Sequence, residues 1–401
     1  MNNLKIEKLD HFGRGIVRIN HDIYFIEGAL PNDIVDIEVI KHKKNIYEAK
    51  VSKYVKKSNY HIDNICPYFL ECGGCTFLNM DYKNELEFKE QKIHELVNKM
   101  LKKDVQINKI IYSDNIYNYR RKITIHGNQL GLYKNKSNDI VSIDKCYLVN
   151  EKINEILPRL KKYQEKTKCN IEEATLKVSV LNEVMISLYG SFDYDHFLNE
   201  FNDIDVIYIN NQLVSKKEYI KEKLFDKYFY VSNHSFFQVN TYMTEKLYEL
   251  VINKIKNEHY KNALDLYCGT GTIGILISDY VDKVTGIEEV KDAVEDANRN
   301  KELNNVDNIN FICGKVEDNI DSFKDIDLVI VDPPRSGLDN KTREQLLKIN
   351  PIRIIYVSCD PATLMRDLND LSKNYNIKEI TPVDMFPRTY HCESITVLER
   401  R

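Results

Sequence analysis

The chain has 401 residues, 43% of them hydrophobic and 29% charged, with a formal net charge of −4. That length accommodates two or three domains with real cores, and the near balance of charge excludes polyanion binding by the surface as a whole, leaving that task to local basic patches. No apolar run is long enough to cross a membrane and the N-terminus, Met1-Asn2-Asn3-Leu4-Lys5, carries no apolar signal segment, so a cytoplasmic monomer is expected, and its nine cysteines point to metal ligation or catalysis rather than a disulfide framework.

Residues 1–57 read as a small all-β domain. Val17, Ile23, Phe25, Ile37 and Val39 fall in short alternating runs broken by Gly13, Gly15, Gly28 and Asn32-Asp33, a spacing that fits a five-stranded barrel. Seven lysines lie between Lys41 and Lys57. A lysine run is usually a solvated face, but on a small barrel it reads as an RNA-binding surface. Residues 58–235 read as a central α+β domain. Near its start stand Cys66, Cys72 and Cys75, with Gly73-Gly74 between the last two. Cys146 is the natural fourth ligand. Four thiolates hold either zinc or an iron–sulfur cluster; the spacing is not the paired C-x2-C of a zinc ribbon, which favours the cluster. Leu86, Ile93, Leu96, Val97 and Leu101 recur at helical spacing within residues 81–105.

From residue 236 the pattern becomes a regular alternation of β and α, which predicts a Rossmann-like parallel, doubly wound sheet. Expected strands are 262–267, 283–287, 310–313, 328–331 and 353–357, with 394–398 ending the sheet. Asp265-Leu-Tyr-Cys-Gly269-Thr-Gly271-Thr-Ile-Gly274 joins the first strand to its helix. It fits G-x-G-x-x-G, which does not by itself separate NAD from another adenosine cofactor. Glu288, at the end of the second strand, is placed to accept from ribose hydroxyls. Asp265 just before the turn would repel a pyrophosphate but could hold the amino group of a methionine moiety, which points to S-adenosylmethionine. Asp332-Pro333-Pro334-Arg335 follows the fourth strand as a stiff loop, able to hold a flat base against the methyl donor.

Ser358-Cys359-Asp360-Pro361 follows the fifth strand, where open α/β sheets place their ligands. Cys359 is the expected nucleophile and Glu393, in His391-Cys392-Glu393, the expected base, with His391 and Asp360 as rivals. The chemistry that needs both is methylation of C5 of a uracil. C5 is a poor nucleophile until a thiolate adds at C6, and a base must then remove the C5 proton so that the thiol can leave.

These motifs resemble the bacterial RNA uracil-5-methyltransferases, in particular the type that modifies 23S ribosomal RNA, over essentially the whole chain. Gly13-x-Gly15 and Leu30-Pro31 resemble a TRAM domain. Cys66, Cys72, Cys75 and Cys146 match the family's [4Fe–4S] ligands. Phe237-Gln238-Val239-Asn240 resembles its F-x-Q-x-N segment, and the resemblance implies that Gln238, Tyr267, Glu288 and Asp332 bind the cofactor. It implies RNA contacts through Tyr119-Arg120-Arg121-Lys122 and the lysine-rich helix, and packing of the 81–105 helix on the catalytic domain. It also favours 23S rRNA over the T-loop uridine of tRNA, whose enzymes typically lack barrel and cluster. A non-catalytic RNA-binding factor is the reading from another class; it would not need Cys359 and Glu393.

Overall fold

The computed structural model describes residues 1–401. The N-terminal region folds into one sheet with strand order Leu4–Lys5, Ile34–Lys43, Ile46–Lys56, Asp22–Glu27, Gly15–Ile19, Lys8–Leu9, wrapped round Ile6, Val17, Ile26, Val35, Ile37 and Ala49. Six strands form instead of the expected five because two of them, flanking Glu7, are only two residues long. Such short pieces leave no period-2 signal.

The central region is built on a seven-stranded sheet, Ile140–Ser142, Gly131–Tyr133, Lys122–His126, Asn170–Val178, Val184–Ser191, Val206–Ile209, Gln212–Leu213 in spatial order. The helix Glu151–Thr167, capped by the Asn150 side chain, lays Ile153, Ile156, Leu157 and Leu160 into this sheet's core. That i, i+3, i+4, i+7 stripe is what an amphipathic helix needs to hide one face.

The third sheet has eight strands: Ile309–Cys313, Val281–Glu288, Tyr260–Leu266, Leu328–Val331, Arg353–Ser358, Glu393–Arg400, Tyr375–Val383, Gln106–Ile107. The first five run parallel. Leu328–Val331 and Arg353–Ser358, at the middle of the sheet, are almost wholly apolar, as strands covered on both faces require, and the two cores packed on this sheet hold 25 and 24 buried residues. Glu393–Arg400 does not end the sheet, contrary to expectation. It inserts antiparallel between Arg353–Ser358 and Tyr375–Val383. Tyr375–Val383 was missed because Lys378-Glu379 interrupts its apolar pattern at a register shift between Ile377 and Glu379.

Helix Tyr82–Leu96 and the wider turn Val97–Leu101 bury Ile93, Leu96, Val97 and Leu101 in the same core as Leu264, Val329, Ile354 and Leu368. This segment, although flanked in sequence by thiol-bearing stretches, packs on the eight-stranded sheet.

Candidate active site

The sheet reverses its winding between Tyr260–Leu266 and Leu328–Val331, so their carboxyl ends open a crevice. At the first end, Asp265 is 1% exposed. Its Oδ2 accepts from the Gly274 N–H at 2.8 Å, while Oδ1 is buried without a partner. Burial pushes this carboxyl up to about 8, helped by the charges of Asp332 and Glu288. Glu288 ends the next strand and accepts from the N–H groups of Gly269 (3.0 Å) and Val290 (2.9 Å). Gly269 has φ +53°, and a Cβ there would stand in open space within the crevice; Gly271 has φ +77°, and a Cβ would strike Phe311 at 2.5 Å. The first glycine leaves the crevice clear and the second lets the turn pack. Tyr267 takes a left-handed φ of +62° and leaves the strand one residue earlier than expected.

Asp332 follows Leu328–Val331, and desolvation pushes it up to about 7. The loop after it is pinned from below. Arg366 donates to the carbonyls of Ser336 (2.9 Å) and Leu338 (3.0 Å) and pairs with Asp367 at 2.7 Å.

Cys359 follows Arg353–Ser358 and is half-buried. Asp360 caps the helix Pro361–Leu371, accepting from the N–H groups of Ala362 (2.9 Å) and Thr363 (3.1 Å), with Pro361 at the first helical position. Asp360 is thereby occupied as a cap. The thiol next to it is pushed up to about 11, first by desolvation, then by the charges of Glu393 and Asp332.

Glu393 opens the antiparallel strand, whose register pairs Ser394 with Ser358 and Ile395 with Val357. Antiparallel pairing brings the start of one strand to the end of its neighbour, so residues 34 apart in sequence meet at one sheet edge. Glu393 is 3% exposed and is pushed up to about 8 by burial and Asp332. The other rival, His391, is held down to about 4 by desolvation and by Arg335 and Lys92. It is a neutral ring tilted 33° against Tyr390, with centroids 4.1 Å apart.

Asp332, Glu288, Tyr267, Cys359 and Glu393 thus share one edge. Gln238 does not join the hydrogen bonds of that group; it lines a small pocket with Arg121, Lys177 and Glu222. Cys66, Cys72, Cys75 and Cys146 line one cavity of about 430 Å³ with Tyr68, Phe69 and Phe236. All four are free thiols. Burial pushes the first three up, and the charge of Cys146 adds to each. No three His, Cys, Asp or Glu side chains are placed to hold a single metal ion.

The expected RNA surface needs correction. The seven lysines of residues 41–57 are all exposed. Arg121, however, is 8% exposed and donates to the Ser179 carbonyl at 2.9 Å. In the helix, Lys89 is fully buried and Lys92 is 9% exposed. These three side chains hold the protein to itself and are not free to meet phosphates. No helix is long and apolar enough to cross a membrane.

The family model for tRNA (uracil-5-)-methyltransferase matches residues 81–401, and the TRAM domain model matches residues 3–52. A protein of Staphylococcus epidermidis described as an uncharacterized RNA methyltransferase is 32% identical over 99% of this chain and 97% of that protein. One from Caldanaerobacter subterraneus with the same description is 33% identical, over 99% and 98%. The crystal structure of Pyrococcus abyssi tRNA (uracil-54, C5)-methyltransferase in complex with S-adenosyl-L-homocysteine is 29% identical, with a TM-score of 0.82 over 99% of this chain and 100% of that one. This likeness runs through the barrel as well, so a barrel does not set rRNA enzymes apart from tRNA enzymes. With a methyltransferase sheet, a carboxylate-lined crevice and these full-length likenesses, the chain belongs to the tRNA (uracil-5-)-methyltransferase family and is an S-adenosylmethionine-dependent RNA (uracil-5-)-methyltransferase with an N-terminal TRAM domain.

Proposed function

We propose that the protein methylates C5 of a specific uridine through a covalent adduct on Cys359, with Glu393 as the base. The observation that carries this is the register that sets Glu393 beside Cys359 at the cofactor edge of the sheet. The Cys359 thiol gives up its proton to solvent, the thiolate bonds to C6 of the uracil, and the electrons of the C5–C6 double bond move toward O4. C5 then takes the methyl group from the sulfonium, releasing S-adenosylhomocysteine. Glu393 takes the C5 proton, the double bond reforms, and the C6–sulfur bond breaks. The free carboxylate oxygen of Asp265 and the acids Glu288 and Asp332 suit a donor bearing an ammonium, a sulfonium and ribose hydroxyls. Tyr267 and Gln238 are assigned to the cofactor by motif alone.

The target that the motifs favour is 23S rRNA; the Pyrococcus likeness supports tRNA as the second reading. Labelled S-adenosylmethionine with separate unmodified 23S rRNA and tRNA transcripts decides between them. 5-Methyluridine in the rRNA alone is the expected result. Label in tRNA alone keeps the mechanism and changes the target, and label in neither rejects the reading.

The four thiols on one cavity fit a [4Fe–4S] cluster, whose ligands are cysteine thiolates, and the cluster would staple the central region to the segment around Cys75. Protein prepared without oxygen should be brown, contain about four irons per chain, and lose colour on Cys146→Ser. Colourless protein carrying zinc would reject the cluster.

A further inference from the structure

Between the barrel, the thiol-bearing segment that holds Cys72 and Cys75, and the loop that leads into Glu393 lies a second cleft of about 430 Å³. One wall is the turn at residues 10–14 of the barrel. Asp10 locks this turn, accepting from the N–H groups of Phe12 (2.9 Å) and Arg14 (2.8 Å) with one oxygen and from the Arg14 guanidinium with the other. Its effect is to hold the Phe12 ring out in solvent, 56% exposed. The ring meets Tyr390 and the Arg14 guanidinium and still leaves much of its surface to solvent. Across the cleft stands Tyr390, edge-on to Phe12 with centroids 5.5 Å apart and braced by Lys92, which donates to the Tyr390 carbonyl at 3.2 Å. His391, two residues from Glu393, lines the same cleft.

The polar lining is mixed in sign. Lys136 pairs with Glu27 (3.0 Å) and Glu48 (3.3 Å), and Arg14 lies 3.9 Å from Glu48. Two cations against two carboxylates give a phosphate no net attraction. They do offer acceptors for amino hydrogens and donors for ring nitrogens, which is the edge of an amino-bearing base. A flat ring to stack on and a mixed edge to read are the two components of single-stranded base recognition.

We propose that this cleft binds an unpaired, amino-bearing base of the substrate RNA, flanking the target uridine, stacked on Phe12 with its edge toward Glu27, Glu48 and Lys136. A uridine entering the crevice must leave its stack, and a neighbouring base held here fixes the strand on either side of Cys359. The site deepens the proposed function and rests on it.

The test pairs Phe12→Ala with substrate RNAs carrying one abasic position at a time on either side of the target. Phe12→Ala should lower kcat/KM for intact RNA about tenfold, within the range for one stacked base, and leave S-adenosylmethionine affinity unchanged. One abasic position should cost wild-type enzyme the same factor and cost Phe12→Ala nothing further. Phe12→Trp should retain activity on intact RNA. Additive losses at every position, or no loss with Phe12→Ala, would overturn the subsite. If the wild type methylates no RNA, the functional reading fails separately. Quenching of a 2-aminopurine oligonucleotide then still reads the cleft: quenching abolished by Phe12→Ala supports it, and quenching that Phe12→Ala leaves intact overturns it.

Discussion

Glu393→Gln should accumulate a covalent protein–RNA complex that survives a denaturing gel. Glutamine keeps the shape of glutamate and some of its hydrogen bonding, but it cannot take a proton. Under the proposed mechanism addition of Cys359 and methyl transfer both precede proton removal, so the variant stalls with the methylated uracil still bonded to sulfur. Cys359→Ala should behave differently. With no nucleophile it forms no complex, and turnover falls by on the order of 10⁴ or more, while S-adenosylmethionine still binds. A Glu393→Gln enzyme with normal turnover and no complex would remove Glu393 from its role.

The pH dependence follows from the same environment. Glu393 is pushed up to about 8 by burial and Asp332, so it is mostly protonated below that pH and ionised above it. A base must be ionised to act, and a thiol pushed up to about 11 also reacts better as pH rises. The protein alone therefore favours alkaline conditions, and a cationic cofactor beside Asp265, Asp332 and Glu393 moves all these groups back toward ionisation. Single-turnover release of 5-methyluridine from the adduct, the step Glu393 carries, should rise with pH between 6 and 8, about tenfold per unit for one controlling group. A flat profile over that range would contradict Glu393 as the base.

Much of this site was legible because its residues sit at the ends of apolar strands. Leu328–Val331 and Arg353–Ser358 announce themselves by composition, and the residues that follow them, Asp332 and Cys359, fall at the sheet's carboxyl edge. The antiparallel insertion was not legible. Nothing local to Glu393–Arg400 says whether its partner lies on one side or two, because register is set by long-range pairing. Burial of cations was also hidden. Glu85 and Lys89 stand four apart on a helix, which reads as a surface pair. Only the tertiary structure shows both to be fully buried. Arg121 misled for the same reason, since a run of Tyr-Arg-Arg-Lys looks like a basic face until its neighbours are known. Phe12 gave no sign because a lone aromatic in a turn has no period, and its significance comes from Tyr390, 378 positions away in the chain.

Lys89→Met should destabilise the catalytic unit by about 3–5 kcal/mol, the cost of breaking a buried ion pair from one side. The Lys89 ammonium donates to Glu85 at 2.7 Å and to Asp384 at 2.6 Å, and all three side chains are fully buried. Methionine fills the space but leaves Asp384 with no cation and Glu85 with only the Arg388 guanidinium, 3.5 Å away. Tyr82 also donates to Asp384, at 2.6 Å, and the Arg388 N–H donates to Glu85 at 2.7 Å. The Arg388 carbonyl in turn accepts from Thr76 (2.9 Å) and Phe77 (3.1 Å), directly after Cys75. One buried network therefore joins the helix Tyr82–Leu96, the thiol-bearing segment and the loop that ends in Glu393. Its loss should move more than stability: at a temperature where the variant remains folded, kcat should fall while S-adenosylmethionine affinity holds, because the loop that places the base is loosened and the crevice across the sheet is not. Removing one charge of each sign, as Lys89→Met with Asp384→Asn, should recover part of the stability, since Glu85 and Arg388 then still balance each other. Urea unfolding of the single and double variants measures this, and a double variant less stable than Lys89→Met would show that the network's worth lies in its hydrogen bonds and not in its balance of charge.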